Sequence, residues 1–153
     1  MRVSAFVLLS ALVACTPGAP PAGAENPVAA PGNAVTIPVS LTGLSVVATA
    51  YGTSGGYTPA VTTVAVGTTV RFLNVDSFAH TATAFGGATF PAGSPLGGSA
   101  LTTSGATLSS GWSSGNLAAG AASQTLLADK AGTYLYGCFF HYGAPMRAAI
   151  VVR

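Results

Sequence analysis

Short segments in which apolar and polar residues alternate constrain the fold of this chain most strongly. The first of them alternates Val35, Ile37 and Val39 with polar residues or proline. A two-residue repeat is typical of a β-strand with one buried face. Further candidate strands, each bounded by turn-forming residues, lie at 44–50, 59–66, 68–74, 124–128, 133–138 and 148–152. About seven or eight strands without any segment of helical period predict an all-β fold, an antiparallel Greek-key β-sandwich.

The chain is poor in charge, which excludes two classes of protein. Charged residues make up 5 % of the 153 residues and apolar residues 50 %. Even so, no apolar run reaches the roughly 18 residues of a membrane-spanning helix, because Ser10 interrupts the longest one at 5–13. Once Arg2 leaves with a signal peptide, four basic residues face three acidic ones. We therefore expect neither a membrane-spanning protein nor a nucleic-acid-binding one.

The N-terminus has the features of an export signal. Met1 and Arg2 precede an apolar stretch that ends in LVAC at residues 12–15. This tetrad resembles the lipobox of bacterial lipoproteins, which implies that residues 1–14 are a signal peptide and that Cys15 is lipidated. The alternative is an ordinary secretory signal with a chance cysteine. Both interpretations predict an exported protein. The first adds a location in the cell envelope, on the periplasmic or cell-surface side, with membrane attachment through the lipid anchor alone.

Two regions have little of the strand pattern. Residues 15–33 hold half of the ten prolines among alanine and glycine, and they have too few bulky apolar side chains to join a core. We expect a linker there and one folded domain at 34–153. Residues 86–115 form a Gly/Ser-rich insertion whose large side chains include Phe90 and Trp112. A segment this long is either a functional loop, irregular structure packed over the sandwich, or a tolerated surface insertion.

Residues that prefer a soft metal cluster near the C-terminus. Cys138, His141 and Met146 lie within nine positions of each other, and thiolate, imidazole and thioether are donors that copper favours. Each residue alone has a commoner explanation as a buried or hydrogen-bonded part of the structure. If Cys15 is lipidated, however, Cys138 is the one remaining thiol. A lone thiol in an oxidising compartment requires burial or a metal.

Strand alternation and a turn predict where these side chains meet. Alternation places Cys138 on the same face as Tyr136, so the thiol points into the sandwich at its end. The loop that follows can fold His141 and Met146 back to the same point. His80 follows an earlier candidate strand through a turn that contains aspartate and serine, both turn formers. It can therefore emerge at the same end of the sandwich.

Two segments resemble the ligand segments of plastocyanin-like cupredoxins, the type 1 blue copper proteins. Residues 72–80, FLNVDSFAH, resemble the first segment. Residues 132–146, GTYLYGCFFHYGAPM, resemble the second, with its Cys-x2-His-x4-Met spacing intact. The resemblance runs from about residue 35 to residue 152 and treats 86–115 as an insertion. It implies a cupredoxin-like fold.

The resemblance also implies a ligand set. His80, Cys138 and His141 would be the equatorial ligands of one type 1 copper ion, and Met146 the weak axial ligand. Four neighbouring residues depart from the pattern of the family. Thr81 stands where plant-type proteins have an asparagine that ties the ligand loops together, and Phe140 and Pro145 replace a proline and a glycine of the ligand loop. Ala148 replaces a glycine common after the methionine. We expect these departures to alter the reduction potential rather than the metal.

A blue copper site implies single-electron transfer between redox partners, so we expect a monomeric electron carrier rather than a catalyst. The resemblance makes His141 the ligand that reaches the surface. Apolar residues around it would supply a docking patch for redox proteins, to the extent that they face outward: Phe139, Phe140, Tyr142, Ala144 and Pro145. The alternative is a copper carrier, buffer or sensor. A copper enzyme would require further histidines beyond the two present, and a structural domain with a vacant site would not retain every ligand.

Overall fold

The structure is a computed structural model that describes residues 32–153. The predicted signal peptide at 1–14, Cys15 and nearly all of the linker predicted at 15–33 lie outside the described residues. The strands of the described part are β1 (Ala34–Val39), β2 (Val47–Thr49), β3 (Gly52–Ser54), β4 (Val61–Val64), β5 (Thr69–Asn74), β6 (Thr83–Phe85), β7 (Thr103–Ser104), β8 (Ser113–Ser114), β9 (Leu126–Leu127), β10 (Gly132–Gly137) and β11 (Arg147–Val152). A single 3-10 turn, Gly98–Leu101, is the one helical element within 32–153.

The strands form two main sheets and a hairpin. A six-stranded sheet has the order β4-β11-β10-β6-β8-β7, a three-stranded sheet has the order β1-β5-β9, and β2 pairs with β3. The predicted all-β fold is confirmed, but β1 pairs with β5 and β4 with β11 in parallel, so the sandwich is not wholly antiparallel. Alternation predicts the buried face of a strand and not the direction of its partner. None of the helices in the described residues has the length and apolarity needed to cross a membrane.

The core lies between the two main sheets and is rich in aromatic rings. Val70 and Phe72 of β5 are fully buried, as their alternation with polar neighbours predicts. The Phe72 ring packs against Tyr136 of β10 at a centroid distance of 5.1 Å and stacks on Trp112 at 5.2 Å. Trp112 belongs to the Gly/Ser-rich insertion, so the insertion contributes directly to the core.

The insertion is structure packed over the sandwich rather than a loose surface loop. Leu108 and Trp112 are 1 % and 3 % exposed. β7 and β8 extend the six-stranded sheet beyond β6, and Ser113 of β8 lies opposite Thr83. Strands of two residues are too short to produce visible alternation, which explains why the sequence predicts no strand here.

The topology gathers three loops at one end of the sandwich. The last residue of β10 lies opposite the first residues of both β6 and β11. Cys138 directly follows β10, Met146 directly precedes β11, and His80 lies just before β6. The three residues therefore meet at the same edge. β1 is parallel to β5, so the chain enters β1 at the opposite end.

Candidate metal centre

Three metal-binding side chains converge at this edge. One ligand atom each from His80, Cys138 and His141 lie within 4.8 Å of one another. The Sγ atom of Cys138 is 3.8 Å from Nδ1 of His80 and 3.6 Å from Nδ1 of His141. With the third side at most 4.8 Å, the centre of this triangle lies no more than about 2.4 Å from each donor, close to the roughly 2.0–2.3 Å of metal–nitrogen and metal–thiolate bonds. The cluster therefore has the size that a single metal ion requires.

The thiol of Cys138 is enclosed by backbone from both ligand segments. It is fully buried, and it is the free cysteine of the described part of the chain. The Thr81 N–H points at Sγ with a separation of 3.4 Å, and the Cys138 N–H donates to the Met146 carbonyl at 3.0 Å. An N–H directed at the sulfur stabilises a thiolate, which is the form that binds metal.

His80 is fully buried and is oriented by a carboxylate. Its Nε2 lies 2.8 Å from Oδ2 of Asp76. Burial alone would raise the pKa of Asp76, but hydrogen bonds from Ser40, Thr42 and Leu41 outweigh it and hold that pKa well below its usual range. An ionised carboxylate only accepts hydrogen bonds, so Nε2 is the ring nitrogen that donates to Asp76, and Nδ1 is the one that faces Cys138. The carboxylate thus orients the ring with Nδ1 toward the other ligands, as a shared metal requires.

Asn74 builds the turn that delivers His80, and sequence reasoning assigned it no role. Its buried side-chain amide nitrogen lies 2.8 Å from the Phe78 carbonyl and 2.9 Å from the Leu117 carbonyl. Its Oδ1 accepts the Asp76 N–H at 2.9 Å. His80 then exchanges two backbone hydrogen bonds with Leu117. An asparagine at the end of a strand is a turn signal, but its distant partner Leu117 becomes apparent only in the folded chain.

His141 closes the cluster on the side nearest to solvent. Its carbonyl accepts hydrogen bonds from the N–H groups of Ala144 and Met146 at 2.9 and 3.2 Å, which folds the ligand loop back on itself. Burial lowers the pKa of its imidazole, and the neighbouring His80 lowers it further. A neutral imidazole is the form that binds metal. His141 is only partly buried, whereas His80 is fully buried.

Met146 completes the predicted set and is fully buried beside Cys138. Arg147, the next residue, fastens the ligand loop to the insertion. Its guanidinium lies 5.0 Å from the Tyr142 ring centroid and 5.6 Å from that of Phe90. It also donates to the Pro91 carbonyl at 3.0 Å. One cation therefore connects the loop that contains His141 to the start of the insertion.

The structure shows what two of the residues that depart from the family pattern, Thr81 and Phe140, do at the site. The Thr81 hydroxyl accepts the Phe139 N–H at 2.9 Å, so threonine itself ties the two ligand segments together. Phe140 is 45 % exposed. Tyr142, one of the residues considered for the docking patch if it faced outward, faces inward instead. Its ring packs against Gly137 and its hydroxyl donates to the Pro91 carbonyl. Phe78 takes its place beside His141, with a ring-centroid distance of 5.7 Å and 43 % exposure.

The fold and the donor set together define a β-sandwich protein with a soft-metal centre of one thiolate and two imidazoles. A sequence model of the copper binding proteins, plastocyanin/azurin family, matches residues 45–153. The chain therefore belongs to this family, and copper is its cofactor.

Comparison with solved structures gives distant similarities. The chain is 19 % identical to a novel purple cupredoxin from Nitrosopumilus maritimus, with a TM-score of 0.49, over 78 % of this chain and 99 % of that one. It is 18 % identical to the oxidised state of a point mutant of amicyanin, with a TM-score of 0.48, over 78 % of this chain and 82 % of that one. No curated protein matches the chain.

Proposed function

We propose that His80, Cys138, His141 and Met146 hold one type 1 copper ion and that the protein carries single electrons between redox partners. Copper supplies a Cu(I)/Cu(II) couple that changes by one electron. The observation that carries the proposal is the converged cluster, in which Cys138 Sγ lies within 3.8 Å of both imidazole Nδ1 atoms. Ligands held in place before metal arrives move little when the metal changes charge, and small rearrangement favours fast electron transfer.

The protein matrix around the cluster supports this role. Asp76 holds the ring of His80, and the Thr81 hydroxyl holds the Phe139 N–H beside Cys138. These contacts fix two ligand segments that are far apart in sequence. An enclosed site with fixed ligands favours slow metal exchange, which an electron carrier requires and a copper shuttle does not.

We further propose that redox proteins dock on a patch of Phe78 and Phe140 around His141, the His141 patch. Both rings pack against the imidazole, at centroid distances of 5.7 and 6.0 Å. Both are more than two-fifths exposed. Redox partners meet through small transient interfaces, and an apolar patch around the outermost ligand suits such an encounter.

The location of the protein is part of the proposal. The signal-like residues 1–14 and the lipobox-like segment before Cys15 support export and a lipid anchor, followed by a linker at 15–33 and a copper domain at 34–153. The protein would act in the cell envelope, attached to a membrane through lipid alone and without a catalytic role.

Copper loading tests the function. We expect purified protein with Cu(II) to develop an intense thiolate-to-copper absorption band and to undergo reversible one-electron voltammetry. A colourless loaded protein would refute the blue copper site. Labile copper without reversible reduction would instead favour a copper carrier, buffer or sensor. A Cys138→Ser variant that retained the band would refute the ligand assignment.

The docking patch has a matched control on the same domain. Phe140→Ser and Leu127→Ser each remove one exposed apolar side chain, 45 % and 40 % exposed. Leu127 pairs with Thr69 at the start of β5, away from the metal end. We expect Phe140→Ser to slow electron self-exchange and Leu127→Ser to leave it unchanged. Equal rates in both variants would contradict the His141 patch.

A further inference from the structure

We infer that Gly56 sets the position of the Met146 side chain and thereby tunes the reduction potential of the metal centre. The inference rests on the proposed ligand role of Met146. Gly56 lies far from the ligand segments in sequence and belongs to none of the motifs described above. It is a positioning residue, because it acts through Met146.

The backbone of Gly56 passes directly against the methionine side chain. A Cβ atom added at Gly56 would lie 2.6 Å from Cγ of Met146, and 3.3 Å from both its Cβ and its Cε. Carbon atoms in contact prefer separations of roughly 3.5–4.0 Å. Any side chain at residue 56 would therefore displace the middle of the Met146 side chain.

Hydrogen bonds hold both backbones in place at that contact. The Gly56 carbonyl accepts the Ser40 N–H at 2.9 Å, and Tyr57, the next residue, is fastened by its hydroxyl to the Thr81 carbonyl. On the other side, the Met146 carbonyl accepts the Cys138 N–H at 3.0 Å. The side-chain torsions of Met146 are what remains free to change, and they determine where its sulfur lies.

Further contacts hold the segment before Gly56 against Met146 and Arg147. Gly55 forms bridges with both Met146 and Arg147, and the Ser54 hydroxyl donates to the Arg147 carbonyl. The segment 54–56 thus runs along the start of β11, and Gly56, which has no side chain, lies against the methionine. A weak axial ligand tunes the reduction potential of a blue copper site. The contact at Gly56 therefore influences that potential through the position of Met146.

Gly56 also has a positive φ of +73°, so a substitution carries backbone strain as well as the contact. Gly111 separates the two effects. It has a φ of +76°, and an added Cβ there meets nothing within 4 Å. Gly111 lies in the insertion beside Trp112, outside both proposed ligand segments. Gly111→Ala therefore reproduces the strain without the contact.

The test compares Gly56→Ala with Gly111→Ala in the full protein. The first readout needs no metal: in protein labelled at methionine methyl groups, we expect the Met146 resonance to move in Gly56→Ala and to stay in Gly111→Ala. The second is the reduction potential of the copper-loaded protein. We expect the ratio of Cu(II) to Cu(I) affinity to change at least about threefold in Gly56→Ala, which is about 28 mV for one electron, and to change far less in Gly111→Ala.

A double-mutant cycle shows whether the effect passes through the methionine. In a Met146→Ala background, Gly56→Ala should leave the potential nearly unchanged, because both the thioether and the Cγ atom that the added Cβ would meet at 2.6 Å are gone. An equal shift in both backgrounds would overturn the inference, as would an unmoved methyl resonance with an unchanged potential. Absence of the blue band in the unmodified protein would refute the proposed function instead. The methyl resonance would then still decide whether Gly56 positions Met146.

Discussion

The hydrogen bond from the Phe139 N–H to the Thr81 hydroxyl should carry a measurable part of the stability of the metal end. Thr81 is fully buried, and the bond of 2.9 Å joins the segment that delivers His80 to the loop that begins at Cys138. Thr81→Val keeps the shape of the side chain and removes the acceptor. The Thr81 N–H to Cys138 contact belongs to the backbone and remains in place.

The expected cost follows from leaving a partly buried N–H without a partner, about 2 kcal/mol. For a domain of roughly 120 residues, each kcal/mol lowers Tm by about 3–5 °C, so the metal-free variant should melt roughly 6–10 °C below the parent. Thr81→Ser keeps the hydroxyl and loses one buried methyl, which costs about 1 kcal/mol. It should therefore melt between the two.

Amide hydrogen exchange provides the decisive assay, because melting alone does not locate the change. The Phe139 amide should exchange faster in Thr81→Val and at close to the parental rate in Thr81→Ser, while the Cys138 amide, which donates to Met146, changes little. A Phe139 amide equally protected in all three proteins, with unchanged melting, would refute the role of the hydroxyl as the tie between the ligand segments.

Three further predictions concern the surroundings of the site. Asp76→Asn removes a negative charge 2.8 Å from Nε2 of His80. Voltammetry should then show a raised reduction potential, and competition titration should show a copper affinity about 10–100-fold weaker. A lowered potential would contradict this prediction. Trp112→Ala should lower the free energy of unfolding by denaturant by about 3–5 kcal/mol. Leu101→Ala, at an exposed site of the same insertion, should change it by less than about 0.5 kcal/mol; a loss as small in Trp112→Ala would show that the packing of Trp112 does not stabilise the domain. Arg147→Met keeps the aliphatic stem but loses the guanidinium contacts with two rings and its hydrogen bonds. The free energy of unfolding by denaturant should fall by about 1–3 kcal/mol. Unchanged stability would show that the guanidinium does not fasten the loop.

The sequence predicted what depends on local pattern. Alternation around Val70 and Phe72 predicted a buried face, and the all-β fold followed from several such segments. The spacing from Cys138 to Met146, with a turn before His80, predicted which side chains would converge. Each of these predictions needed only the geometry of one strand or one loop.

What the sequence could not predict depends on contacts between distant segments. Asp76 could be recognised as a turn former, but its hydrogen bonds to the loop at 40–42 exist only once β1 and β5 pair. Phe78 has no pattern that predicts an exposed ring beside His141. Gly56 is one glycine among twenty, and its importance becomes visible only when Met146 lies against it.

With the lipid anchor proposed at Cys15, the parallel pairing of β1 and β5 would orient the domain toward other proteins. The chain enters β1 at the end of the sandwich opposite His80 and Cys138. A tether on the N-terminal side would therefore hold the domain at that opposite end. The metal end, with Phe78 and Phe140, would then point away from the attachment surface toward approaching partners. The direction of one edge strand would in this way decide which encounters are open to a tethered carrier and which the membrane itself would block.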